Sequence, residues 1–137
     1  MAYPYSKQTI TNEDVQKVSK VLKSKLITQG PVVKKFEKSI ANFVGAKYAS
    51  ATNSATSALH VSCLALDLKK GDYVWTVPNS FVASANCAVY CGAKVDFVDI
   101  DENDLNIDIE KLETKLKLKK KLPKILISVH FAGQPTK

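Results

Sequence analysis

The sequence predicts an α/β fold: a mostly parallel sheet flanked by helices. Two observations predict it. Stretches with apolar residues at three- and four-residue steps alternate with short β-rich runs. Some of those runs, "PKILISVHF" above all, are apolar on both faces, as strands covered by helices on both sides must be.

Each element has its own local signal. "TNEDVQKVSKVLKSK" predicts a first helix, with Thr11 or Asn12 as cap, Glu13 and Asp14 in the first turn, and Val15, Val18, Val21 and Leu22 on one face. "LITQGP" breaks it. Pro31 opens a second helix carrying Val33, Phe36, Ile40 and Phe43, and Gly45 ends it. "KYASAT" predicts a short strand and Ala55 to Leu68 a helix. "GDYVWTVP" predicts a turn and a strand, and Phe81 to Tyr90 a small-residue helix ending at Gly92. "AKVDFVDI" alternates like a strand, and "DENDLNID" is turn-rich. Ile109 to Leu122 predicts a helix with Ile109, Leu112, Leu116 and Leu118 on one face, before the strand in "PKILISVHF". There is no repeat or linker. The chain stops at "AGQPTK", where a loop leading to more sheet is expected, so the sequence reads as a piece of a larger protein.

Composition narrows the function. At 137 residues, 45% hydrophobic and 24% charged, the chain has the makeup of a water-soluble domain. No apolar run approaches the roughly 20 residues that span a bilayer, and "MAYPYSKQT" has no signal-peptide core, so a cytoplasmic protein with no membrane role is expected. The net charge of +7 suggests nucleic acid, yet all 20 basic residues are lysine, and arginine is the usual reader of guanine and clamp of phosphate. Part of the excess sits in "KLKLKKKLPK", Lys115 to Lys124, read as a solvated helix end whose lysines suit the helix dipole. No nucleic-acid partner is expected. His60 with Cys63, and Cys87 with Cys91, can each share a helix face, but the spacing is not that of a zinc knuckle. Core thiols and no metal are expected.

Three strand ends concentrate polar chemistry. "ATNSATSALH" packs Asn53, Ser54, Thr56 and Ser57 at a strand-to-helix junction. Capping alone accounts for such residues. The alternative is an anion site, because free N–H groups at a helix start attract phosphate. The glycines of a Walker loop or dinucleotide fingerprint are missing. "TVPNSFVASANC" repeats the pattern with Phe81 at the helix start, either a core residue or a flat platform for a cofactor ring. "SVHFAGQP" adds His130 and Gln134.

Together, "LITQGPVVKKFEKSIANFVGAKYA", "NSATSALH", "GDYVWTVPNSFVASANCAVYCGAKVDFVDIDENDLNID" and "SVHFAGQP" resemble, in the same order, the DegT/DnrJ/EryC1/StrS sugar-nucleotide aminotransferases, fold-type I enzymes that use pyridoxal 5′-phosphate (PLP). The "NSATSAL" form, with "YS" near the N-terminus, is most similar to the branch serving pseudaminic acid synthesis.

The resemblance implies that residues 1–137 form the N-terminal segment and part of the PLP-binding large domain. It implies that Ala55 and Thr56 bind the cofactor phosphate through main-chain N–H groups and that Phe81 stacks on the pyridine ring. It further implies that Tyr5, Lys25, Leu26, Ile27, Thr28 and Ser54 contact a UDP-sugar substrate, and that the complete protein is a homodimer using an amino-acid donor, glutamate in most members. The reactive lysine and the aspartate that pairs with the pyridinium belong to motifs absent from this sequence, so no catalytic residue is assigned and the chain by itself is expected to be silent. Two other readings stand beside this one: a non-catalytic truncated product that binds a partner chain, and a family member that acts on another nucleotide-linked keto sugar.

Overall fold

The computed structural model describes residues 7–137. The chain divides into two compact units, Met1–Ala51 and Thr52–Lys137, at a segment whose composition gives no sign of a boundary.

The first unit is helical. α1 (Asn12–Leu22) starts at a capping box, in which the Asp14 N–H donates to Thr11 Oγ1 at 3.3 Å and the Thr11 N–H donates to Asp14 Oδ2 at 2.8 Å. The Thr11 donors hold the Asp14 carboxyl below its ordinary pKa. α2 (Pro31–Val44) has proline at its first position and ends on Gly45 in the left-handed conformation, φ 69°. Gly30, just before it, is demanded by space, because a Cβ there would lie 2.7 Å from the Leu26 carbonyl oxygen. The apolar stripes are real but uncovered among the described residues: Val18, Phe36 and Phe43 are all exposed, and Ala41 is the helical residue that is buried.

The strand expected in "KYASAT" does not form. The segment has no ladder partner among the described residues, and an extended chain without one is not a strand. The Ala51 N–H donates instead to Glu37 Oε1 at 2.9 Å.

The second unit holds the sheet. Its elements run α3 (Ala55–Ala65), β1 (Tyr73–Thr76), α4 (Ala83–Tyr90), β2 (Lys94–Phe97), α5 (Ile109–Leu118), β3 (Ile125–Leu126) and a 3₁₀ turn, Phe131–Gly133. The strands are parallel in the order β2-β1-β3, with Val74 level with Val95 and Ile125, and Trp75 level with Asp96 and Leu126. The chain pairs β1 with β2 through α4, then crosses over β1 to β3 through α5. β3 is shorter than "PKILISVHF" predicts, although the Ile127 N–H still bonds to the Trp75 carbonyl at 2.9 Å.

Alternation along β1 builds two cores. Val74 points to one face, where it joins Cys63, Leu68, Cys87 and Ala88. Trp75 and Val77 point to the other, with Val98, Ile107 and Leu112. Cys63 and Cys87 are core thiols, and burial, helped by a hydrogen bond with Cys87, pushes the Cys63 thiol up to about 12. On α5 the expected apolar face is partly right: Leu112 is buried, while Leu118, the last helical residue, is exposed.

The lysine run departs most from expectation. Only its first part follows the helix-end reading, and four lysines strap the sheet instead. Lys115 Nζ reaches Asp96 Oδ1 at 2.8 Å and the Phe97 carbonyl, and lies 4.8 Å from the centre of the Trp75 ring. Lys119 approaches the other Asp96 oxygen at 3.5 Å. Lys121 donates to the Gly71 carbonyl, and Lys124 to the Asp67 carbonyl and the Asp72 carboxylate. Long lysine stems can cover apolar surface while the ammonium finds an acceptor, which a count of charges does not show.

This strap makes stability depend on pH. Burial works to raise the Asp96 pKa, but the hydrogen bond from Lys115, the Phe97 N–H and the nearby lysine charges bring it below its ordinary value. A carboxyl depressed on folding adds stability that is present above its unfolded pKa of about 4 and is lost as pH falls through the folded value. Denaturant melts of wild type and Asp96→Asn are therefore expected to differ above about pH 5 and converge as pH falls below about 4. A constant difference across that range would contradict the assignment.

Candidate functional site

The candidate site is built from helix starts and loops. At α3 the N-cap is Ser54, in extended conformation at φ −160° and ψ 158°. Its Oγ accepts the Ser57 N–H at 3.1 Å and donates to Ser57 Oγ at 3.0 Å, while the Ser54 carbonyl accepts from the Ala58 N–H and from Thr52 Oγ1. Capping and anion binding thus prove compatible. The cap uses the third N–H of the helix and leaves those of Ala55 and Thr56 without an acceptor among the described residues. These two donors sit at the positive end of the helix dipole, beside the Thr56 hydroxyl.

The second junction follows β1. Phe81 precedes α4 and is 74% exposed, so it is not a core residue. Its ring borders a cavity of about 270 Å³ lined with Val77, Pro78, Ser80, Val82 and Phe97. Ser80 Oγ and Ser84 Oγ share a 3.1 Å hydrogen bond that pins the loop to the buried start of α4. In a parallel sheet the ends of β1 and β3 open on the same edge, so this loop and the one after β3 share the carboxyl edge, where α/β sheets bind ligands.

The third junction carries His130 and Gln134, both exposed. Its shape depends on a residue that sequence reasoning missed. Asn106 is 1% exposed; its Oδ1 accepts the Phe131 N–H at 2.9 Å, and its Nδ2 donates to the carbonyls of Gln134 at 3.2 Å and Pro135 at 3.4 Å. The signal available was an asparagine inside "DLNID", between two apolar residues of which Ile107 is buried in the core and Leu105 is exposed.

The described contacts between α3 and α4 run through the core thiols and an edge-on packing of His60 on Tyr90 at 5.3 Å. No described hydrogen bond joins Thr56 to Phe81. Lys25, Leu26, Ile27 and Thr28 form the exposed loop between α1 and α2, in the first unit, where Ser24 Oγ donates to the Leu26 carbonyl at 3.1 Å. Tyr5 lies outside the described residues.

The sequence and fold of this chain resemble those of known proteins. The chain is 46% identical over 112 residues to the UDP-4-amino-4,6-dideoxy-N-acetyl-beta-L-altrosamine transaminase of Campylobacter jejuni, covering 82% of this chain and 29% of that one. Its fold matches that of Helicobacter pylori PseC, an aminotransferase involved in pseudaminic acid biosynthesis, with a TM-score of 0.88 and 36% identity over 98% of this chain and 36% of that one. It also matches a GDP-4-keto-6-deoxymannose-3-dehydratase solved with a trapped PLP-glutamate geminal diamine, with a TM-score of 0.87 and 31% identity over 98% of this chain and 36% of that one. The chain spans about a third of the length of the proteins it matches. Residues 8–137 match the sequence model of one family throughout, and with the parallel sheet and its helix starts this makes the chain a member of the DegT/DnrJ/EryC1/StrS aminotransferase family.

Proposed function

We propose that residues 1–137 supply the phosphate cradle and ring platform of a PLP-dependent aminotransferase, as the N-terminal segment and part of its large domain. The reaction is transfer of an amino group from glutamate to C4 of a UDP-linked 4-keto-6-deoxy-N-acetyl sugar, in pseudaminic-acid-type glycan synthesis. The observation that carries this reading is the pair of unused N–H groups on Ala55 and Thr56 at the start of α3. They fit a phosphate: two main-chain donors, a hydroxyl and a helix dipole favour a dianion.

PLP, when bound, acts as an electron sink at the substrate carbon. The chain's own part is to bind and orient. Ala55 and Thr56 hold the phosphate, and Phe81 offers its exposed ring to one face of the pyridine and keeps water from it. Tyr5, the loop Lys25–Thr28 and Ser54 receive the nucleotide sugar. The residues that bond covalently to the cofactor and pair with its ring nitrogen come from motifs this sequence does not contain. By its family resemblance the complete protein works as a cytoplasmic homodimer. Among the described residues no helix is long and apolar enough to cross a membrane. The similarity to the dehydratase supports a second reading, a family member acting on another nucleotide-linked keto sugar.

The test is an assay of the full-length polypeptide that carries this sequence, with PLP, glutamate and a UDP-linked 4-keto sugar. Formation of 2-oxoglutarate and a 4-amino sugar is expected. A deoxygenated or 3-amino product would favour the second reading, and no turnover of any keto sugar would overturn both. Phe81→Ala is expected to weaken PLP binding about fivefold, since an aromatic stack contributes about 1 kcal/mol, with stability within about 0.5 kcal/mol of wild type. Unchanged affinity by fluorescence titration would remove Phe81 from the site.

A further inference from the structure

We infer that Asn106 is a positioning residue: with Asn79 it makes the turn 101–107 a strut that holds the Phe81 loop and the His130–Gln134 loop at a fixed spacing on the carboxyl edge of the sheet. The inference rests on the proposed PLP site at that edge.

The turn leaves β2 and returns to α5, and it is closed by a bridge between Ile100 and Ile107 and by the Asp101 N–H bonding to the Asn106 carbonyl at 2.9 Å. Its base is anchored by Ile107, 3% exposed in the Trp75 core. Its tip reaches two ways. Towards the loop after β1, the Leu105 carbonyl accepts Asn79 Nδ2 at 2.9 Å, and Asn79 stands two residues before Phe81. Leu105 adopts φ 60°, a left-handed conformation that a branched residue rarely takes and that persists only when surrounding contacts fix it. Towards the loop after β3, Asn106 spends its whole amide on the two ends of one turn, the Phe131 N–H on one side and the Gln134 and Pro135 carbonyls on the other. That turn also contains a left-handed non-glycine residue, Ala132 at φ 50°. Asn106 is buried and hydrogen-bonded through all three contacts, so it is well suited to fix one geometry and poorly suited to touch a ligand. Among the described hydrogen bonds, the two loops are thus tied through adjacent residues, Leu105 and Asn106. A strut of this kind sets where Phe81 stands relative to His130 and Gln134.

Coupling between two loops is reciprocal, and that supplies the test. In the full-length polypeptide without added cofactor, amide hydrogen exchange is followed in segments 77–82, 131–135 and 73–76 for wild type, Asn106→Ala and Asn79→Ala. Asn106→Ala is expected to speed exchange about tenfold or more not only in 131–135 but also in 77–82, and Asn79→Ala to speed 131–135 as well as 77–82, with 73–76 still protected in both. PLP is then added. Both variants are expected to shift the dichroism of bound PLP in the same direction and to lower kcat on the order of tenfold or more with a smaller change in KM, as displaced orienting groups do. Loosening confined to the mutated side, or unchanged dichroism and kcat, would overturn the strut. If Asn106→Ala fails to fold, the response of 131–135 to Asn79→Ala decides alone. A wild type that binds no PLP would sink the functional reading, while the exchange coupling, measured without cofactor, would still stand or fall by itself.

Discussion

Replacing Trp75 by alanine is expected to destabilise the protein by about 3–5 kcal/mol, a large part of the 5–15 kcal/mol that usually holds a domain together. Trp75 is the largest fully buried side chain and the hub of the second core, packed with Val77, Val98, Ile107 and Leu112. Its ring also carries the Lys115 ammonium at 4.8 Å, so its loss frees the strap that joins α5 to β2. The indole Nε1–H has no partner among the described residues, a buried donor that already costs stability. Trp75→Phe removes that donor and keeps a ring for Lys115, and is expected to cost less than about 2 kcal/mol. Urea unfolding followed by far-ultraviolet dichroism checks both, because this is the chain's one tryptophan and its fluorescence is lost in either variant. An alanine variant within about 1 kcal/mol of wild type would show that the core does not depend on this residue.

What the sequence discloses depends on how local the cause is. The starts of α1 and α2 and the end of α2 are legible because Thr11, Pro31 and Gly45 each act within one helical turn. The parallel sheet is legible because helical stretches alternate with short β-rich runs, and "PKILISVHF" is apolar on both faces, as a strand covered on two sides must be. "KYASAT" misleads because a strand exists only with a neighbour, and pairing is not written into six residues. Phe81 taken alone reads first as a core residue, since an aromatic at a helix start has the same local pattern in a core and in a platform; its exposure decides for the surface. The lysine run hides its role because the acceptors for Lys115, Lys121 and Lys124 lie 18 to 57 residues away. Asn106 is hidden for the same reason, with partners 25 to 29 residues downstream. The cradle at α3 was half legible: Ser54 announces a cap, but only the hydrogen bonds show which N–H groups the cap leaves over.

Those left-over donors are the centre of the functional account, and a main-chain donor can be removed here without disturbing the helix. Ala55 is the first residue of α3, where proline is favoured because its missing N–H has no helical acceptor anyway. Ser54 already has the extended conformation that a residue before proline requires, and its bond to the Ser57 N–H does not involve Ala55. Ala55→Pro should therefore keep the helix and delete one phosphate donor. A hydrogen bond to a charged group contributes about 1.5–3 kcal/mol, so the Kd for PLP is expected to rise about 10- to 100-fold. Pyridoxal, which has the same ring without the phosphate, is expected to bind wild type and variant equally. The decisive measurement is that pair of titrations on the full-length polypeptide. A loss confined to PLP would locate the phosphate at the start of α3, whereas equal PLP affinity in both proteins, or an equal loss for PLP and pyridoxal, would contradict the account.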